Sequence, residues 1–333
     1  MLRSIATVLA LAAALPVAAE SLNHTTGTQG VLLIDKLGGH VRFFDAASLA
    51  ERSNLELPKN PHDFALSADH RFAYVPIYGP GVYNRNPEPG HELYVLDLAE
   101  RKVANVIDLS PYRSPHGVQI DTRGMVYVTA ELDRKILVID GKTGRIVDTI
   151  DHEGAGHWIA VLPDGSKAYV ANKDDKPFVT VLDLAARKQI GTVPMPRGTQ
   201  GITASPDGKR IIAMDFAQPE IAVIDTATDA VLERITLADT TDAAYKAYYS
   251  PDEKWLLTMA GSSISIFDAA NLRAPQRTLK VGASPMGIAF SADGKTALVA
   301  NHGDGTVSAV DIASAAVTRT FKAGTGIETL TYY

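Results

Sequence analysis

The sequence repeats one pattern seven times, and this periodicity constrains the fold more than any other feature. In each copy a short apolar strand ends in aspartate, as in Val41-Arg-Phe-Phe-Asp45. The seven aspartates are Asp45, Asp97, Asp140, Asp183, Asp225, Asp268 and Asp311, at intervals of 52, 43, 43, 42, 43 and 43 residues. A unit of about 40–45 residues that recurs in this way is typical of a β-propeller blade.

Inside each repeat the same order of strands and turns recurs. In one copy, Pro285 to Gly294 reads as a short strand and a tight turn, and Thr296 to Asn301, Thr306 to Asp311 and Ala316 to Lys322 read as three further strands. Asp-Gly pairs, which favour the positive φ of hairpin turns, stand at 164–165, 207–208 and 293–294. Four short strands fill the period and leave no room for crossover helices, so the pattern predicts an all-β fold.

The two ends of the chain complement each other. After Asp311 the sequence supplies only an outer strand and an inner strand, whereas Val31 to Asp35 and Val41 to Phe44 supply a pair before Asp45. We therefore predict a seven-bladed β-propeller with four antiparallel strands per blade, closed by N- and C-terminal strands that share one blade. Residues 20–333 form this single domain.

The first 19 residues read as a signal peptide. A basic start at Arg3 precedes an apolar run from Ile5 to Leu15, and small residues end at Ala19. The chain has no cysteine, which excludes disulfides and thiolate chemistry and leaves no lipid-attachment cysteine. These features predict export to the periplasm. No later stretch is long and apolar enough to span a membrane, so we expect no membrane span in the mature chain.

The charge balance bears on the partners of the protein. Thirty-eight acidic residues against 32 Lys and Arg give a formal net charge of −6, which provides no broad basic surface. We therefore do not expect nucleic acid as a partner. Ring closure leaves no open sheet edge, so we expect a monomer.

One position of the repeat, eight residues before the glycine position of the first hairpin turn, is rich in histidine. In a propeller the first strands line the central channel, and seven loops converge at its opening. Reading round the ring, the position holds His62, His116, His157, Gln200, Tyr245, Met286 and, by extension, Thr325. Neutral imidazole is a good donor for zinc and copper, so one hypothesis is a copper or zinc site on His62, His116 and His157. The alternatives are contact with an organic ligand and hydrogen bonds to the neighbouring blade.

A second position, at the end of the second strand, opens on the same face. It holds Tyr78, Glu131, Lys173, Phe216, Gly261 and His302, and Asn172, Asp215 and Asn301 stand one residue earlier. Glu131 and Asp215 are candidates to orient the imidazoles or to act as a catalytic base. The alternative is that both are turn residues. His302 is the candidate for a fourth histidine at the site.

The single long interval, 52 residues instead of 43, places an insertion on this face. It runs from Tyr78 to His91, is rich in Pro and Gly, and carries Tyr83 and Arg85 as further aromatic and cationic groups. A loop that departs from the repeat is not explained by blade packing. We interpret it as a lid or ligand clamp, with a neutral insertion as the alternative.

Several short motifs resemble those of known propeller families. Tyr169-Val-Ala-Asn172, Leu298-Val-Ala-Asn301, Tyr127-Val-Thr129 and the Ser-Pro-Asp-Gly run at 205–208 resemble the YVTN-repeat, YncE-like propellers over residues 30–333. That family spans enzymes and binding proteins, so the resemblance implies a fold and leaves the function open.

A looser resemblance concerns the histidine-bearing blade entries. Pro61-His62-Asp63 and Ser114-Pro115-His116-Gly117 are similar to entries of copper propellers such as nitrous oxide reductase and methanethiol oxidase. Cytochrome d1-type propellers also place histidines near their channel, where they handle a haem. The copper enzymes use more histidines than this column holds.

These observations lead to three functional hypotheses. The first is a periplasmic binding or accessory protein that holds a small ligand, metal or cofactor over the channel through His62, His116 and His157. Further ligand contacts would come from Tyr78, Tyr83, Arg85, His91, Gln200, Tyr245 and His302. The second is a copper- or zinc-dependent enzyme, a lactonase-type hydrolase or an oxidase, with Glu131 or Asp215 as base. The third is a protein-interaction scaffold.

Overall fold

Each aspartate of the repeat caps the turn that follows the third strand of its sheet. The side-chain oxygen of Asp45 accepts hydrogen bonds from the backbone N–H groups of Ala47 (3.0 Å) and Ser48 (2.8 Å). Equivalent bonds, from N–H groups two or three residues ahead, form at Asp97, Asp140, Asp183, Asp225, Asp268 and Asp311. The residue recurs because the turn recurs, and a short carboxylate satisfies the donors that the turn exposes.

The computed structural model describes residues 30–58 and 60–333, and the predicted signal peptide, residues 1–19, lies outside this part of the chain. The described residues form seven antiparallel sheets of four strands each. This confirms the predicted all-β, seven-bladed propeller. No helix within the described residues is long and apolar enough to cross a membrane.

Blades are numbered here from the one that contains both chain ends, and the strands of each are given from the centre outward. Blade 1 contains β28 (Ile327–Tyr332), β1 (Val31–Asp35), β2 (His40–Phe44) and β3 (Glu51–Glu56). Blade 2 contains β4 (Ala65–Leu66), β5 (Phe72–Ile77), β6 (Glu92–Asp97) and β7 (Lys102–Asp108). Blade 3 contains β8 (Pro115–Ile120), β9 (Met125–Ala130), β10 (Lys135–Asp140) and β11 (Arg145–Asp151). Blade 4 contains β12 (Ile159–Val161), β13 (Lys167–Val170), β14 (Phe178–Asp183) and β15 (Lys188–Pro194).

The remaining blades follow the same plan. Blade 5 contains β16 (Thr199–Ala204), β17 (Arg210–Asp215), β18 (Glu220–Asp225) and β19 (Ala230–Thr236). Blade 6 contains β20 (Ala244–Tyr249), β21 (Trp255–Ala260), β22 (Ser263–Asp268) and β23 (Arg277–Lys280). Blade 7 contains β24 (Pro285–Phe290), β25 (Thr296–Asn301), β26 (Thr306–Asp311) and β27 (Ala316–Lys322). A short 3-10 helix, Glu131–Asp133, follows β9.

The ring closes through main-chain bonds between the two ends of the chain, as predicted. β28 pairs antiparallel with β1, so that Tyr332 lies opposite Val31. Gly30 and Tyr333 extend the pairing, because each donates its N–H to the carbonyl of the other, at 3.2 and 3.0 Å. The first strand, β1, and the last strand, β28, therefore belong to one sheet.

The core lies between the faces of neighbouring sheets, and burial falls from the axis outward. Every residue of β1 is buried, whereas most of β27 is exposed. First strands of adjacent blades pack closely wherever one of them carries glycine. A side chain at Gly117 would meet the backbone of His157, and one at Gly287 would meet the backbone of Glu328 and Thr329. This close approach holds the residues around the channel mouth, the face on which the first strands begin, at fixed positions.

A pair of glycine substitutions tests that close approach. A Cβ at Gly201, in β16, would overlap the carbonyl oxygen of Tyr245 in the next blade, whereas a Cβ at Gly191, in β15, meets nothing within 4 Å. We expect Gly201→Ala to lower the free energy of unfolding by about 1–3 kcal/mol, and Gly191→Ala to leave it unchanged or slightly higher. Urea unfolding followed by circular dichroism measures both. Equal losses in the two variants would contradict the packing of first strand on first strand.

Candidate binding site at the channel mouth

Three imidazoles from three neighbouring blades stack at the channel mouth. His62, His116 and His157 enter the first strands of blades 2, 3 and 4. The ring centroids of His62 and His116 lie 3.9 Å apart with a 47° tilt, and those of His116 and His157 lie 4.0 Å apart with a 32° tilt. The three residues are only 5%, 2% and 4% exposed. The histidines that the sequence pattern singled out are therefore brought into direct contact.

Backbone carbonyls fix the tautomer of two of these rings. The Nδ1 atom of His116 lies 3.2 Å from the carbonyl oxygen of His157, and the Nδ1 atom of His157 lies 3.1 Å from that of Gln200. A carbonyl oxygen only accepts hydrogen bonds, so each Nδ1 carries the proton. In the neutral ring, Nε2 then keeps a lone pair with which it can accept a hydrogen bond or bind a metal.

The third ring, His62, has the opposite arrangement. Its Nε2 atom lies 2.8 Å from the Nζ atom of Lys36, and an ammonium group can only donate. The proton of neutral His62 is therefore on Nδ1, which lies 3.6 Å from Oε1 of Glu328. The stack thus contains two rings with free Nε2 lone pairs and one ring that is tied to a charged pair.

Glu328 is the centre of that charged group. Its buried carboxylate lies 3.6 Å from Nζ of Lys36, 3.2 Å from Nδ1 of His302 and 3.3 Å from the hydroxyl of Tyr245. Burial opposes ionisation, but the charge of Lys36 and the neighbouring histidines outweigh it and hold the pKa of Glu328 below its usual range. Two of the predicted ligand contacts, Tyr245 and His302, therefore meet at this carboxylate.

Glu328, and not Thr325, occupies the seventh position of the histidine column. The sequence pattern extended the column to Thr325, and this extension is wrong. A side chain on Gly287, the residue after Met286, would lie 3.0 Å from the carbonyl of Glu328 and 2.8 Å from Cα of Thr329. Glu328 is thus the residue that corresponds to Met286. The alignment counted back from a hairpin glycine, and β28 ends at Tyr332 without a following hairpin.

Burial keeps all three imidazoles neutral. Burial, followed by the charge of Lys36, lowers the pKa of His62 to about 3. Burial also holds the pKa of His116 and of His157 well below the usual range, and the largest charge effect on His157 comes from Lys173. At neutral pH the rings are therefore electron-pair donors and not cations.

The predicted lid, residues 78–91, lies over the stack. The hydroxyl of Tyr78 donates to Oε1 of Glu131 at 2.7 Å, and the backbone N–H of Asn84 donates to the same oxygen at 2.6 Å. The hydroxyl of Tyr83 lies 2.5 and 2.7 Å from the carbonyl oxygens of Ala155 and Asn172. The ring centroid of Tyr83 is 5.3 Å from that of His157. The insertion is thus anchored across blades 2 to 4; that it opens for a ligand stays a prediction.

Other predicted residues lie away from the stack. Arg85 and His91 are exposed on the loop, and no contact joins either side chain to the imidazoles in the part of the chain described. Asp215 is buried, pairs with Arg197 at 2.8 Å and accepts the N–H groups of Ala217 and Gln218. Gln200 contributes its backbone carbonyl. Asp215 therefore has the contacts of a structural turn residue.

Four residues at the site were not singled out by the sequence pattern. They are Lys36, Glu328, Trp158 and Lys246. The Trp158 ring centroid is 5.0 Å from that of His116, and Nζ of Lys246 lies 3.6 Å from the Trp158 centroid. Lys36 follows β1, the second strand of blade 1, and Lys173 follows β13, the second strand of blade 4. Extending the second column of the repeat into blade 1 would therefore have found Lys36.

The stack does not have the geometry of a metal site. Across residues 30–58 and 60–333, no three or more His, Asp or Glu side chains are arranged to hold a metal ion. The lone pair of His62 Nε2 faces Lys36, so this ring is not free to bind a metal through Nε2. Copper or zinc on these histidines stays a prediction.

The comparisons with known proteins agree on the fold class. The model of the Cytochrome D1 heme domain family matches residues 120–247, and no curated protein matches the chain. The structure is similar to hydrazine synthase from Kuenenia stuttgartiensis, with a TM-score of 0.69 and 17% identity over 81% of this chain and 89% of that one. It is also similar to the Cps50 (Swd1) β-propeller domain of Myceliophteria thermophila, with a TM-score of 0.65 and 12% identity over 82% and 90% of the two chains.

These likenesses define the class of protein, a seven-bladed β-propeller. The match to the Cytochrome D1 heme domain model agrees with the looser of the two resemblances found in the motifs. It includes His157 but neither His62 nor His116. The YVTN-repeat, YncE-like assignment stays a prediction.

Two buried glutamates at the mouth should respond oppositely to pH. Burial raises the pKa of Glu131 to about 7, so its ionisation destabilises the folded state as pH rises from about 4.5 towards 7. The pKa of Glu328 is lowered, so its charge stabilises the folded state above about pH 4.5. We expect Glu131→Gln to gain stability relative to the wild type with rising pH, and Glu328→Gln to lose it.

Urea unfolding at about pH 5 and about pH 8 measures the effect of Glu131, and unfolding at about pH 3 and about pH 5 measures that of Glu328. The amide of the Glu131→Gln variant still accepts hydrogen bonds from Tyr78 and Asn84, so the variant isolates the charge. A difference between Glu131→Gln and the wild type that does not change with pH would show that Glu131 has an ordinary pKa.

Proposed function

We propose that this chain is a periplasmic binding or accessory protein that holds a small ligand or cofactor at the channel mouth. One observation carries the proposal: His116 and His157 are buried and neutral, and each is held by a backbone carbonyl so that Nε2 keeps its lone pair. An imidazole that binds a metal through one nitrogen usually donates the N–H of its other nitrogen to a carbonyl or a carboxylate in this way. Within the described residues, neither Nε2 atom has a hydrogen-bond partner.

A purely structural role accounts for only half of this arrangement. The bonds from Nδ1 to the next blade explain why a hydrogen-bond donor is useful at these positions. They do not explain why the second nitrogen of each ring is left unpaired. Neither Nε2 atom is among the fully buried unpaired atoms of the described residues, so both remain able to meet a ligand. A ligand that donates a hydrogen bond to Nε2, or accepts its lone pair, would use this nitrogen.

The match to the Cytochrome D1 heme domain model makes haem a candidate ligand, and the residues test it. The free lone pair of His157 has the donor chemistry of an axial ligand. The surroundings do not fit: the ring is 4% exposed and lies beneath Tyr83, whose hydroxyl is bonded to Ala155 and Asn172. With the 78–91 loop in place the site does not accommodate a haem, so the proposal is a smaller ligand.

The contacts favour binding over catalysis. Glu131 is occupied by Tyr78 and Asn84 of the loop, and Asp215 is held by Arg197. These partners support a structural role for both carboxylates over the role of a catalytic base. The metal-dependent hydrolase or oxidase therefore ranks second, and the interaction scaffold third. The YncE-like motifs are compatible with all three.

The test uses the mature protein, purified from periplasm without a histidine tag. Native mass spectrometry would detect a co-purified ligand, and calorimetric titrations with Zn²⁺, Cu²⁺ and ferric haem would probe the imidazoles. We expect a bound mass or a titratable probe that is lost, or weakened at least about tenfold, in His157→Ala and His116→Ala. His70→Asn, on a hairpin turn where φ is 54°, is the matched control and should bind normally.

The opposite result would assign the stack to structure. If the wild type carries no ligand and no probe depends on His116 or His157, the imidazoles serve only to bond neighbouring blades. If a metal binds and depends on all three histidines, the enzyme hypothesis moves ahead, and oxidase and lactonase assays follow.

Export is a separate expectation. If residues 1–19 are a signal peptide, the protein recovered from the periplasm begins at Glu20. N-terminal sequencing of the exported protein measures this. Recovery of the full-length chain in the cytoplasmic fraction would contradict the periplasmic assignment.

A further inference from the structure

A lysine beside the imidazole stack lacks a counter-ion. Lys173 follows β13 on the mouth face and is half-buried, and in the part of the chain described no carboxylate lies within ion-pair distance of its Nζ atom. Instead, Nζ lies 5.0 Å from the ring centroid of Tyr83 and 5.8 Å from that of Phe216. Aromatic faces stabilise an ammonium only partly. Asp174, Glu131 and Glu328 also attract the charge from beyond ion-pair distance, but burial outweighs them and lowers the pKa of Lys173. The charge is therefore only partly compensated.

The backbone holds Lys173 rigidly at this position. Its N–H and carbonyl form two hydrogen bonds of 2.9 Å with Thr199, at the entry of the next blade. Its φ is 48°, a left-handed conformation that a lysine adopts at a cost. The ammonium is therefore presented by a fixed main chain beside Tyr83, whose ring is 5.3 Å from His157.

The other charges of the mouth do not neutralise this lysine. Glu328 is already occupied by Lys36 and His302. Glu131 accepts hydrogen bonds from the loop, and burial disfavours its charged form. The charges of both Lys36 and Lys173 disfavour protonation of all three imidazoles, so the positive field of both reaches the stack. An anionic group is the missing component.

An anion alone would not suit the whole site. The Nε2 lone pairs of His116 and His157 repel anionic oxygens and require a donor hydrogen. The ligand must therefore combine a negative charge with a hydrogen-bond donor. Building on the function proposed above, we propose that the mouth binds a small hydroxycarboxylate, with the carboxylate at Lys173 and the hydroxyl donating to Nε2 of His157.

Three probes separate the two contacts. Lactate carries both groups, propionate lacks the hydroxyl, and methyl lactate lacks the charge. In calorimetric titrations of the wild type we expect lactate to bind at least about tenfold more tightly than either of the others, as for the loss of one charged or one buried hydrogen bond.

Substitutions then locate each contact. Lys173→Met keeps the length of the side chain and should reduce lactate affinity about 10- to 100-fold, to the level of methyl lactate, while Lys173→Arg keeps most of it. His157→Gln should remove the preference for lactate over propionate. Lys142→Met, at an exposed position remote from the mouth, is the control. Circular dichroism of each variant confirms that it folds.

The outcomes distinguish this inference from the function on which it rests. If lactate does not bind the wild type, or binds Lys173→Met equally well, the anionic assignment is wrong. Binding of lactate that is insensitive to His157→Gln overturns the hydroxyl contact. In either case, a co-purified ligand, metal or haem that depends on His116 and His157 would leave the binding function standing.

Discussion

Main-chain pairing between β28 and β1 is the constraint on which the rest of the molecule depends. It turns a row of sheets, each of which would expose a face, into a ring in which every sheet packs against two others. It also decides the site. Glu328 arrives with the last strand and Lys36 with the first, and closure places their charged groups 3.6 Å apart beside His62.

The mouth then follows from burial. Three imidazoles in contact, beneath a loop that is anchored across three blades, are too desolvated to carry charge, and backbone carbonyls select the tautomer of two of them. Positive charge remains at Lys36, Lys173 and Lys246. Lys36 has Glu328 as its counter-ion, whereas Lys173 forms no ion pair with the described residues and has Tyr83 and Phe216 as its aromatic neighbours. This asymmetry is one basis of the binding role that we propose for the mouth.

Much of the fold could be predicted because each rule acts locally and repeats. Asp45 and its equivalents recur because one carboxylate caps one turn, and the spacing counts the blades. The same repetition placed His62, His116 and His157 in one column. The prediction was wrong at Thr325, since the closing blade lacks the hairpin used for alignment. The repeat pattern did not single out Trp158 or Lys246. Each stands one residue after a member of the histidine column, and the two side chains meet only in the folded ring.

The sequence by itself determined the number of blades, the way the ring closes and the face on which histidines gather, because these follow from a periodic pattern along one chain. Only the tertiary structure decided which nitrogen of each imidazole carries the proton, that Glu131 holds the 78–91 loop, and that Lys173 forms no ion pair with residues 30–58 or 60–333. These depend on distances of a few ångströms between residues far apart in sequence, such as Lys36 and Glu328, and no local pattern records them.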